Sequence, residues 1–359
     1  MSRVVFFHPS PEWDSLARVY LETGKALAAR GVTVGIACPA GSPVAAACAV
    51  FDQLPFDDRG SWFSDGLRLA TQLRDYGCDA TIVAGDDAQL VAAWAVRRSG
   101  RGAVLRRIGS GAVAPVTMRT RLAVRLAPTW FIHGTATEAQ ASEPVNRLRG
   151  RIVADLAIDP LQFDRVVAAP TPIGTSTFAI VTNCEAQRAT AAALRAIAAM
   201  RTRGHPINTL LVGTPHDVNE VRVHATALGF GDALAFVGEP EPVDRAAMLA
   251  AADMVWVVAE HDDGGLAVLD AMALGRPIIV TRGTMAERYV RDGDTGIIVE
   301  RDDALATAAE ITLLGADAIR MNSIAEMAKA DVRARRGLSM VADAVMTVLQ
   351  DAAAAQVAA

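Results

Sequence analysis

Short apolar runs alternate with stretches of helical periodicity along most of the chain. The first run, residues 4–7, is followed by apolar residues at helical spacing over 16–27 and by a second run over 32–37, after Gly31. A short apolar run beside an amphipathic helix is typical of a buried parallel strand. The beginning of the chain is therefore predicted to form a β-α-β unit, from which parallel sheets are built.

The alternation continues to residue 132, pauses, and then resumes. In the first half, strands are predicted over 81–84, 103–105 and 130–132, and helices over 67–76, 89–98 and 120–126. In the second half, strands are predicted over 178–181, 208–212, 234–237, 254–258, 277–280 and 296–299, and helices over 189–201, 218–228, 243–251 and 266–274. This pattern predicts an α/β protein with two doubly wound, Rossmann-like domains.

The pause covers residues 155–175, which contain Pro160, Pro170, Pro172 and Gly174 and keep no apolar period. We interpret it as an interdomain connection. The predicted organisation is a first domain over 1–155, a linker over 156–175, a second domain over 176–335, and a C-terminal helix over 336–359 that packs back towards the first domain. Ligands are expected outside the carboxyl ends of the strands, in a central cleft that the two domains face.

The composition narrows the possible classes of protein. With 359 residues, 52% hydrophobic and 21% charged, the chain is long enough for two domains and too apolar to be disordered. No apolar run reaches the roughly 18 residues of a membrane span, and the N-terminus lacks a signal-peptide core, so we expect a cytoplasmic protein. The four cysteines form no CxxC pair, which argues against a zinc ribbon or a disulfide scaffold.

Basic residues are concentrated in the first half. Residues 1–150 carry 17 Arg and Lys against 13 Asp and Glu, whereas residues 151–359 carry 18 against 27. Two interpretations stay open: a solvated surface, or a face for an anionic partner such as a phosphorylated acceptor or an anionic lipid surface. Nucleic acid is not expected, because aromatic residues are not interleaved with the basic ones. The clustered residues are Arg97, Arg98, Arg101, Arg106, Arg107, Arg119, Arg121, Arg125, Arg147, Arg149 and Arg151.

The densest chemistry lies between residues 260 and 277. After a predicted strand comes an acidic turn with Gly264 and Gly265, and a helix is predicted to open near Leu266. Amides at a helix N-terminus can bind an anion, and a diphosphate suits that position. Asp270, eight residues after Asp262, could accept hydrogen bonds from sugar or ribose hydroxyls. The alternative is an acidic turn that serves only its own helix and binds no ligand.

The stretch resembles the donor-site signature of retaining nucleotide-sugar glycosyltransferases of the GT-B fold, family 4 type (glycosyl transferases group 1). That family usually has Glu-Gly-Phe-Gly-Leu followed by Glu-Ala-Met-Ala-x-Gly-x-Pro-Val-Ile. This chain has Asp262-Asp263-Gly264-Gly265-Leu266 and then Asp270-Ala271-Met272-Ala273-Leu274-Gly275-Arg276-Pro277-Ile278-Ile279. Further matches in order and spacing cover 159–163, 211–213, 228–229, 236–238, 250–253, 283–287, 292–296 and residue 302.

The resemblance implies transfer of a hexose-type sugar from a UDP- or GDP-linked donor to a hydroxyl acceptor, with retention and without metal or cofactor. It suggests bacterial polysaccharide, glycolipid or envelope glycan synthesis, with a glycan or lipid-linked acceptor. The basic first half would then allow peripheral contact with the inner face of the membrane. Trp62 and Phe63 could form an exposed apolar loop that takes part in this contact, or they could simply pack within the domain.

Candidate residues carry over from the family by position. The catalytic candidates are Asp262, which would face the donor sugar, and Asp270, which would bind the ribose. The amides of Gly264, Gly265 and Leu266, together with Arg188, would hold the diphosphate. Further donor-binding candidates are Asn183, Gly213, Val237, Gly238, Glu239, His261 and Asp263. The acceptor-side candidates are His8, Arg107, Gly109 and Ser110.

The donor motif is also degenerate. Both glutamates of the family pair are aspartates here, and Asn183 stands where the family places a phosphate-binding arginine. The usual Gly-Gly of the first loop is replaced by residues 9–13, and the histidine expected after the fourth strand of the first domain is missing. Two alternatives therefore stay open: a catalytically inactive partner subunit of the same fold, and a sugar-nucleotide epimerase.

Overall fold

The computed structural model describes residues 2–114, 116–171 and 176–357, and it divides into two compact units. Unit 1 comprises Met1–Ala157 and Leu338–Ala359, and unit 2 comprises Ile158–Gly337. The chain thus passes from unit 1 into unit 2 and returns to unit 1 for its last helix.

Unit 1 is built on a parallel sheet of seven strands in the order β3-β2-β1-β4-β5-β6-β7. The strands are β1 (Arg3–Phe7), β2 (Thr33–Cys38), β3 (Asp52–Pro55), β4 (Ala80–Ala84), β5 (Ala103–Arg107), β6 (Thr129–His133) and β7 (Gly150–Val153). The helices are α1 (Ser15–Ala29), α2 (Pro43–Ala47), α3 (Trp62–Tyr76), α4 (Asp86–Ser99), α5 (Met118–Leu126) and α6 (Ala136–Ala141), joined by the C-terminal α13 (Leu338–Val357).

Helix α13 completes the core of unit 1. Val345 and Leu349 are buried in one cluster with Phe6 of β1 and Leu27 of α1. An ion pair between Arg30, at the end of α1, and Asp343 adds a polar contact at the rim. Burial of apolar side chains such as these contributes most of the stability that holds a terminal helix on a sheet.

Unit 2 is built on a parallel sheet of six strands in the order β10-β9-β8-β11-β12-β13. The strands are β8 (Ser176–Val181), β9 (Ile207–Val212), β10 (Leu234–Gly238), β11 (Met254–Val257), β12 (Ile278–Thr281) and β13 (Ile297–Val299). The helices are α7 (Gln187–Thr202), α8 (Val218–Ala227), α9 (Pro242–Ala251), α10 (His261–Leu274), α11 (Ala304–Ala316) and α12 (Ala318–Arg335). Short 3₁₀ helices cover Pro160–Arg165, Gly231–Ala233 and Met285–Tyr289.

The predicted fold class is confirmed: both units are Rossmann-like, with helices connecting parallel strands. In each sheet the first strand of the unit lies centrally, and the strand order reverses beside it, between β1 and β4 and between β8 and β11. Such a reversal leaves a crevice at the carboxyl ends of the two strands, where ligands bind in folds of this kind.

The segment predicted as a linker has structure of its own. Ile158 forms a parallel bridge with Gly337, and the 3₁₀ helix Pro160–Arg165 follows. The Ala169 amide donates to the Ala247 carbonyl at 2.9 Å, so this segment packs within unit 2. Pro172 and Gly174, which contributed to the prediction, lie outside the described residues.

Trp62 and Phe63 are exposed, as expected, but they lie in a helix rather than in a loop, and they make the packing contacts that were the alternative. Both residues lie in the first turn of α3, where their exposed fractions are 41% and 48%. The Phe63 ring stacks on Trp94 of α4 with centroids 5.2 Å apart, and Trp62 meets Trp94 edge-on. The aromatic pair therefore packs α3 against α4. Among the described helices, none is both long and apolar enough to cross a membrane.

Candidate functional site

Helix α10 begins five residues earlier than the sequence predicted, at His261 rather than near Leu266. Gly264, Gly265 and Leu266 are therefore its fourth to sixth residues, and the Gly264 amide donates to the Glu260 carbonyl at 3.3 Å. The amides without an intrahelical partner are those of the first turn. The predicted start of the helix near Leu266 is thus wrong, and the amides without an intrahelical partner are those of residues 261–263 rather than of Gly264–Leu266.

Gly264 has a structural reason for being glycine. A Cβ atom there would lie 2.1 Å from the Ala259 carbonyl oxygen, which no side-chain-bearing residue tolerates. The missing side chain lets the first turn of α10 pack directly against the end of β11. This close approach fixes where the N-terminus of α10 emerges at the carboxyl edge of the sheet.

Asn183, just after β8, joins that edge to α10. Its side-chain amide donates to the Glu260 carbonyl and to Asp263 Oδ2, both at 3.1 Å. Its Oδ1 accepts from the Glu260 amide at 3.2 Å. The Asn183 side chain, predicted to help bind the donor, therefore uses its hydrogen bonds to join the loop after β8 to the start of α10.

A second link between the same loops is formed by ionisable groups. His261 Nε2 lies 2.7 Å from Glu185 Oε2, and both side chains are more than half exposed. His261 has φ +55°, a left-handed conformation that non-glycine residues adopt at a cost. Burial raises the pKa of Glu260, although Arg301, 3.4 Å away, acts in the opposite direction. Glu185 and Arg301 were not identified from the sequence, where no motif distinguishes them.

Arg188 lies exposed in the first turn of α7 and forms no ion pair with any residue that the structure describes. Neither α7 nor α10 has a side-chain hydrogen bond at its N-cap. A cation beside a helix N-terminus is unfavourable for the helix itself, because both are positive. The edge between β8 and β11 therefore presents two helix N-termini whose N-cap residues supply no side-chain hydrogen bond, together with the cation of Arg188. These groups suit an anion, whereas the carboxylates of Asp262 and Asp263 in the first turn of α10 act against one.

The two aspartates of the motif lie on one helix but not at one point. Asp262 and Asp270 are both buried, with exposed fractions of 8% and 3%. Asp262 belongs to the first turn of α10, whereas Asp270 lies eight residues on, about 12 Å further along the helix axis. Only Asp262 is therefore at the carboxyl edge with Asn183, His261 and Asp263.

The residues predicted to frame the base lie at the ends of β9 and β10. Gly213, with φ +102°, donates its amide to the Gly238 carbonyl at 2.7 Å, which joins these ends. Val237 is half-buried, and Glu239 is held by Arg245 at 2.8 Å. A Cβ on Gly213 would lie 2.1 Å from the Thr182 carbonyl oxygen, so this glycine too is required by close backbone packing.

The acceptor-side candidates lie at the carboxyl edge of unit 1. His8 follows β1, is buried, and places Nε2 3.1 Å from Asp14 Oδ1 and Nδ1 2.9 Å from the Ser10 carbonyl. Burial lowers the pKa of His8, but the hydrogen bond and charge of Asp14 outweigh it, so the pKa is raised. Arg107 ends β5 and is buried, and Gly109 and Ser110 follow in the next loop.

Comparison with known proteins places the candidate donor site inside a described family. Residues 174–331 match the profile of the family "glycosyl transferases group 1", rather less than half of the chain. The matching residues make up most of unit 2, so this unit is similar to the glycosyl transferases group 1 family.

Relatives by sequence agree with this. The chain is 27% identical over 139 residues to the lipopolysaccharide core biosynthesis glycosyltransferase LpsE of Rhizobium meliloti, covering 39% of this chain and 40% of the relative. It is 30% identical over 149 residues to the phosphatidyl-myo-inositol mannosyltransferase of Mycobacterium leprae, covering 41% and 38%. The matches span about two fifths of the length of these relatives.

The whole chain resembles solved structures. It superposes on HepE of Anabaena in complex with UDP and glucose with a TM-score of 0.78 at 16% identity, covering 98% of this chain and 100% of that one. At this identity the likeness shows the fold alone, which is GT-B.

Proposed function

We propose that this protein is a glycosyltransferase that transfers a hexose-type sugar from a UDP- or GDP-linked donor to a hydroxyl acceptor. The observation that carries the proposal is the anion-binding edge of unit 2. There the N-termini of α7 and α10, whose N-cap residues supply no side-chain hydrogen bond, lie at the same sheet edge, Arg188 stands in the first turn of α7, and all lie within the residues that match the glycosyl transferases group 1 profile. A diphosphate is the anion that such an arrangement is suited to hold.

The proposed mechanism is electrostatic. Charge that develops on the departing diphosphate is stabilised by Arg188 and by the first-turn amides of α7 and α10. Asp262, at the start of α10, positions the sugar hydroxyls. The departing oxygen accepts the proton of the acceptor hydroxyl on the same face of the sugar, so the configuration is retained without a protein nucleophile. The scheme requires no cofactor.

The acceptor is proposed to be a glycan or a lipid-linked glycan. Support comes from relatives whose names refer to lipopolysaccharide core and to phosphatidyl-myo-inositol. His8, Arg107, Gly109 and Ser110 at the carboxyl edge of unit 1 are the proposed acceptor side. We infer that the protein works at the inner face of the membrane by peripheral contact.

The proposal is tested by calorimetric titration of the full chain with UDP and GDP. One of the two should bind, and Arg188→Ala should weaken that binding by about 1.5–3 kcal/mol, the magnitude of a charged hydrogen bond. Arg195→Ala is the matched control, because Arg195 is exposed on the same helix two turns away. Absence of binding at millimolar nucleotide, or equal loss in both variants, would contradict the proposal.

A non-catalytic subunit of the same fold is the second candidate, and Asn183 favours it. Its amide is occupied by Glu260 and Asp263, so the phosphate clamp of the family has one cation instead of two. The two candidates differ in turnover. A transferase should slowly hydrolyse or transfer its nucleotide sugar, whereas a non-catalytic subunit would bind the nucleotide and leave the sugar bond intact.

A further inference from the structure

Ten of the eleven arginines in the cluster of unit 1, all except Arg107, separate into two groups. Arg101, Arg106 and Arg119 form ion pairs with Asp79, Asp86 and Asp87, and Arg151 donates to two backbone carbonyls. The second group has no carboxylate partner among the residues that the structure describes. It consists of Arg97, Arg98, Arg121, Arg125, Arg147 and Arg149.

Three arginines of the second group meet at one pocket. A cavity of about 420 Å³ is lined by residues 124–128 and 147–149, so Arg125, Arg147 and Arg149 all contribute to its wall. Among the described residues, no acidic side chain lines it. Val124, Leu126 and Leu148 give the wall an apolar part. The volume is within the range of small-molecule sites.

The pocket lies at the opposite end of the sheet from the acceptor-side candidates. It is formed by the end of α5 and the turn before β7, where β6 and β7 begin. His8 and Arg107 stand at the other ends of their strands, about 13 Å away along a five-residue strand. The pocket is therefore separate from the proposed donor and acceptor sites.

One of the three arginines is held in a strained conformation. Arg147 has φ +72°, in the left-handed region that favours glycine. The turn around it is fixed by hydrogen bonds from the Leu148 amide to the Val145 carbonyl and from the Arg149 amide to the Thr129 carbonyl. Glycine would fit this position more cheaply, and strain of this kind is concentrated at functional sites.

We propose that this pocket, the arginine pocket, binds a phosphoryl group carried by a small molecule or a lipid headgroup. Guanidinium groups bind phosphate oxygens in pairs of parallel hydrogen bonds, and three arginines that line one cavity without a carboxylate partner are suited to an anion. The cavity is larger than inorganic phosphate, and its apolar wall accommodates the organic part of a phosphomonoester or phosphodiester.

The test uses the full chain and glycerol 3-phosphate, which carries the chemistry shared by free phosphomonoesters and lipid headgroups. Calorimetry should show binding, and both Arg147→Gly and Arg125→Ala/Arg149→Ala should weaken it at least tenfold. Arg97→Ala/Arg98→Ala is the matched control, because it removes the same charge from α4 outside the pocket. Equal weakening in the control would show only diffuse attraction and would overturn the proposal.

Arg147→Gly separates function from folding. Glycine relieves the left-handed strain, so its thermal midpoint should equal or exceed that of the unmodified chain while phosphate affinity falls. UDP affinity should not change, which keeps this test distinct from that of the donor site. A variant that loses stability and keeps its affinity for glycerol 3-phosphate would overturn the assignment of Arg147.

Vesicle flotation distinguishes the two sources of the phosphoryl group. Vesicles of phosphatidylcholine with phosphatidylglycerol, against phosphatidylcholine alone, should retain the protein through the same three arginines if the ligand is a headgroup. Binding of glycerol 3-phosphate without vesicle retention would assign the pocket to a free phosphomonoester. If the protein neither binds glycerol 3-phosphate at millimolar concentration nor floats with the phosphatidylglycerol vesicles, the proposal is overturned.

Discussion

The helices that follow the first strand of each unit, α1 and α7, occupy equivalent places, but their N-termini differ. In unit 1, Asp14 caps α1 by accepting from the Ala17 amide, and it also pairs with His8. In unit 2, Ala186 precedes α7 and offers no side-chain cap. The same topology thus satisfies its helix N-terminus internally in unit 1 and leaves it open in unit 2. This difference supports the proposal that the edge of unit 2, rather than that of unit 1, holds the anion of the donor.

The strongest way to break this comparison is Gly264→Ala. The new Cβ would lie 2.1 Å from the Ala259 carbonyl oxygen. The start of α10 must therefore move away from the end of β11, and the N-terminus of α10 would lose its position at the carboxyl edge of the sheet. We expect a loss of about 3 kcal/mol in the free energy of unfolding. Hydrogen exchange of peptides from β8 and β11 reports on unit 2 directly.

Gly315→Ala is the control for that substitution. Gly315 lies within α11, and the nearest atom to its added Cβ is Met254 Cε at 3.5 Å. This variant should be stabilised by about 0.5–1 kcal/mol, because alanine is the better helix former. A similar response of both glycines would mean that the contact with Ala259 does not set the position of α10.

The next largest effect is expected from Asn183→Ala. It removes three hydrogen bonds between the end of β8 and the first turn of α10. We expect a loss of about 2 kcal/mol, from bonds worth about 0.5–1.5 kcal/mol each, together with weaker nucleotide binding. Asn219→Ala, on α8, is the control and should change neither stability nor binding. Retained stability with weakened binding would indicate that Asn183 contacts the donor directly.

The smallest effect sharpens the unit 1 side of the comparison. Asp14→Asn keeps an N-cap, since asparagine caps as well as aspartate, but removes the charge that pairs with His8. Because the pKa of His8 is raised on folding, protonated His8 stabilises the folded state fully at pH values below 6.5, the pKa of an unfolded histidine. This stabilisation is lost as the pH rises through the pKa of His8 in the folded state. Because the pKa of Asp14 is lowered on folding, ionised Asp14 stabilises the folded state at pH values above 3.8, the pKa of an unfolded aspartate. This stabilisation is lost as the pH falls through the pKa of Asp14 in the folded state. The pair therefore contributes most between those two values.

Urea unfolding of Asp14→Asn at about pH 5.5 and about pH 8.5 checks this window. The loss should be about 0.5 kcal/mol at the lower pH, because solvent screens a carboxylate that is 46% exposed, and close to zero at the higher pH. Asp217→Asn at the N-cap of α8 is the control. It has no histidine partner and should show no such difference.

The sequence was sufficient to predict the two Rossmann-like sheets, because buried parallel strands appear as apolar runs. It was not sufficient for the edge strands β3 and β7, whose sequences Asp-Gln-Leu-Pro and Gly-Arg-Ile-Val have little apolar character. The start of α10 was placed too late because glycines usually mark a turn. Only the approach of Ala259 shows why Gly264 belongs inside a helix.

The candidate site was harder to predict, because its contacts join distant residues. Asn183 bonds groups 77 and 80 positions further along the chain, which no local pattern reveals. The arginine cluster was visible in the sequence. Which of its members are paired depends on tertiary contacts, such as those of Asp86 and Asp87 of α4 with Arg106 and Arg119. The strain at Arg147 is a property of backbone geometry and has no residue signature of its own.

The return of the chain to unit 1 sets an order on biosynthesis. Unit 2 is one continuous segment, closed at its base by the bridge between Ile158 and Gly337. Unit 1 needs α13 to complete the core around Phe6 and Leu27, and α13 follows unit 2 in the chain, so it leaves the ribosome after the whole of unit 2. Unit 2 can therefore finish folding first. Until α13 has been synthesised, the strands of unit 1 keep part of their apolar surface exposed. This interval is when the growing chain is most exposed to aggregation and chaperone binding.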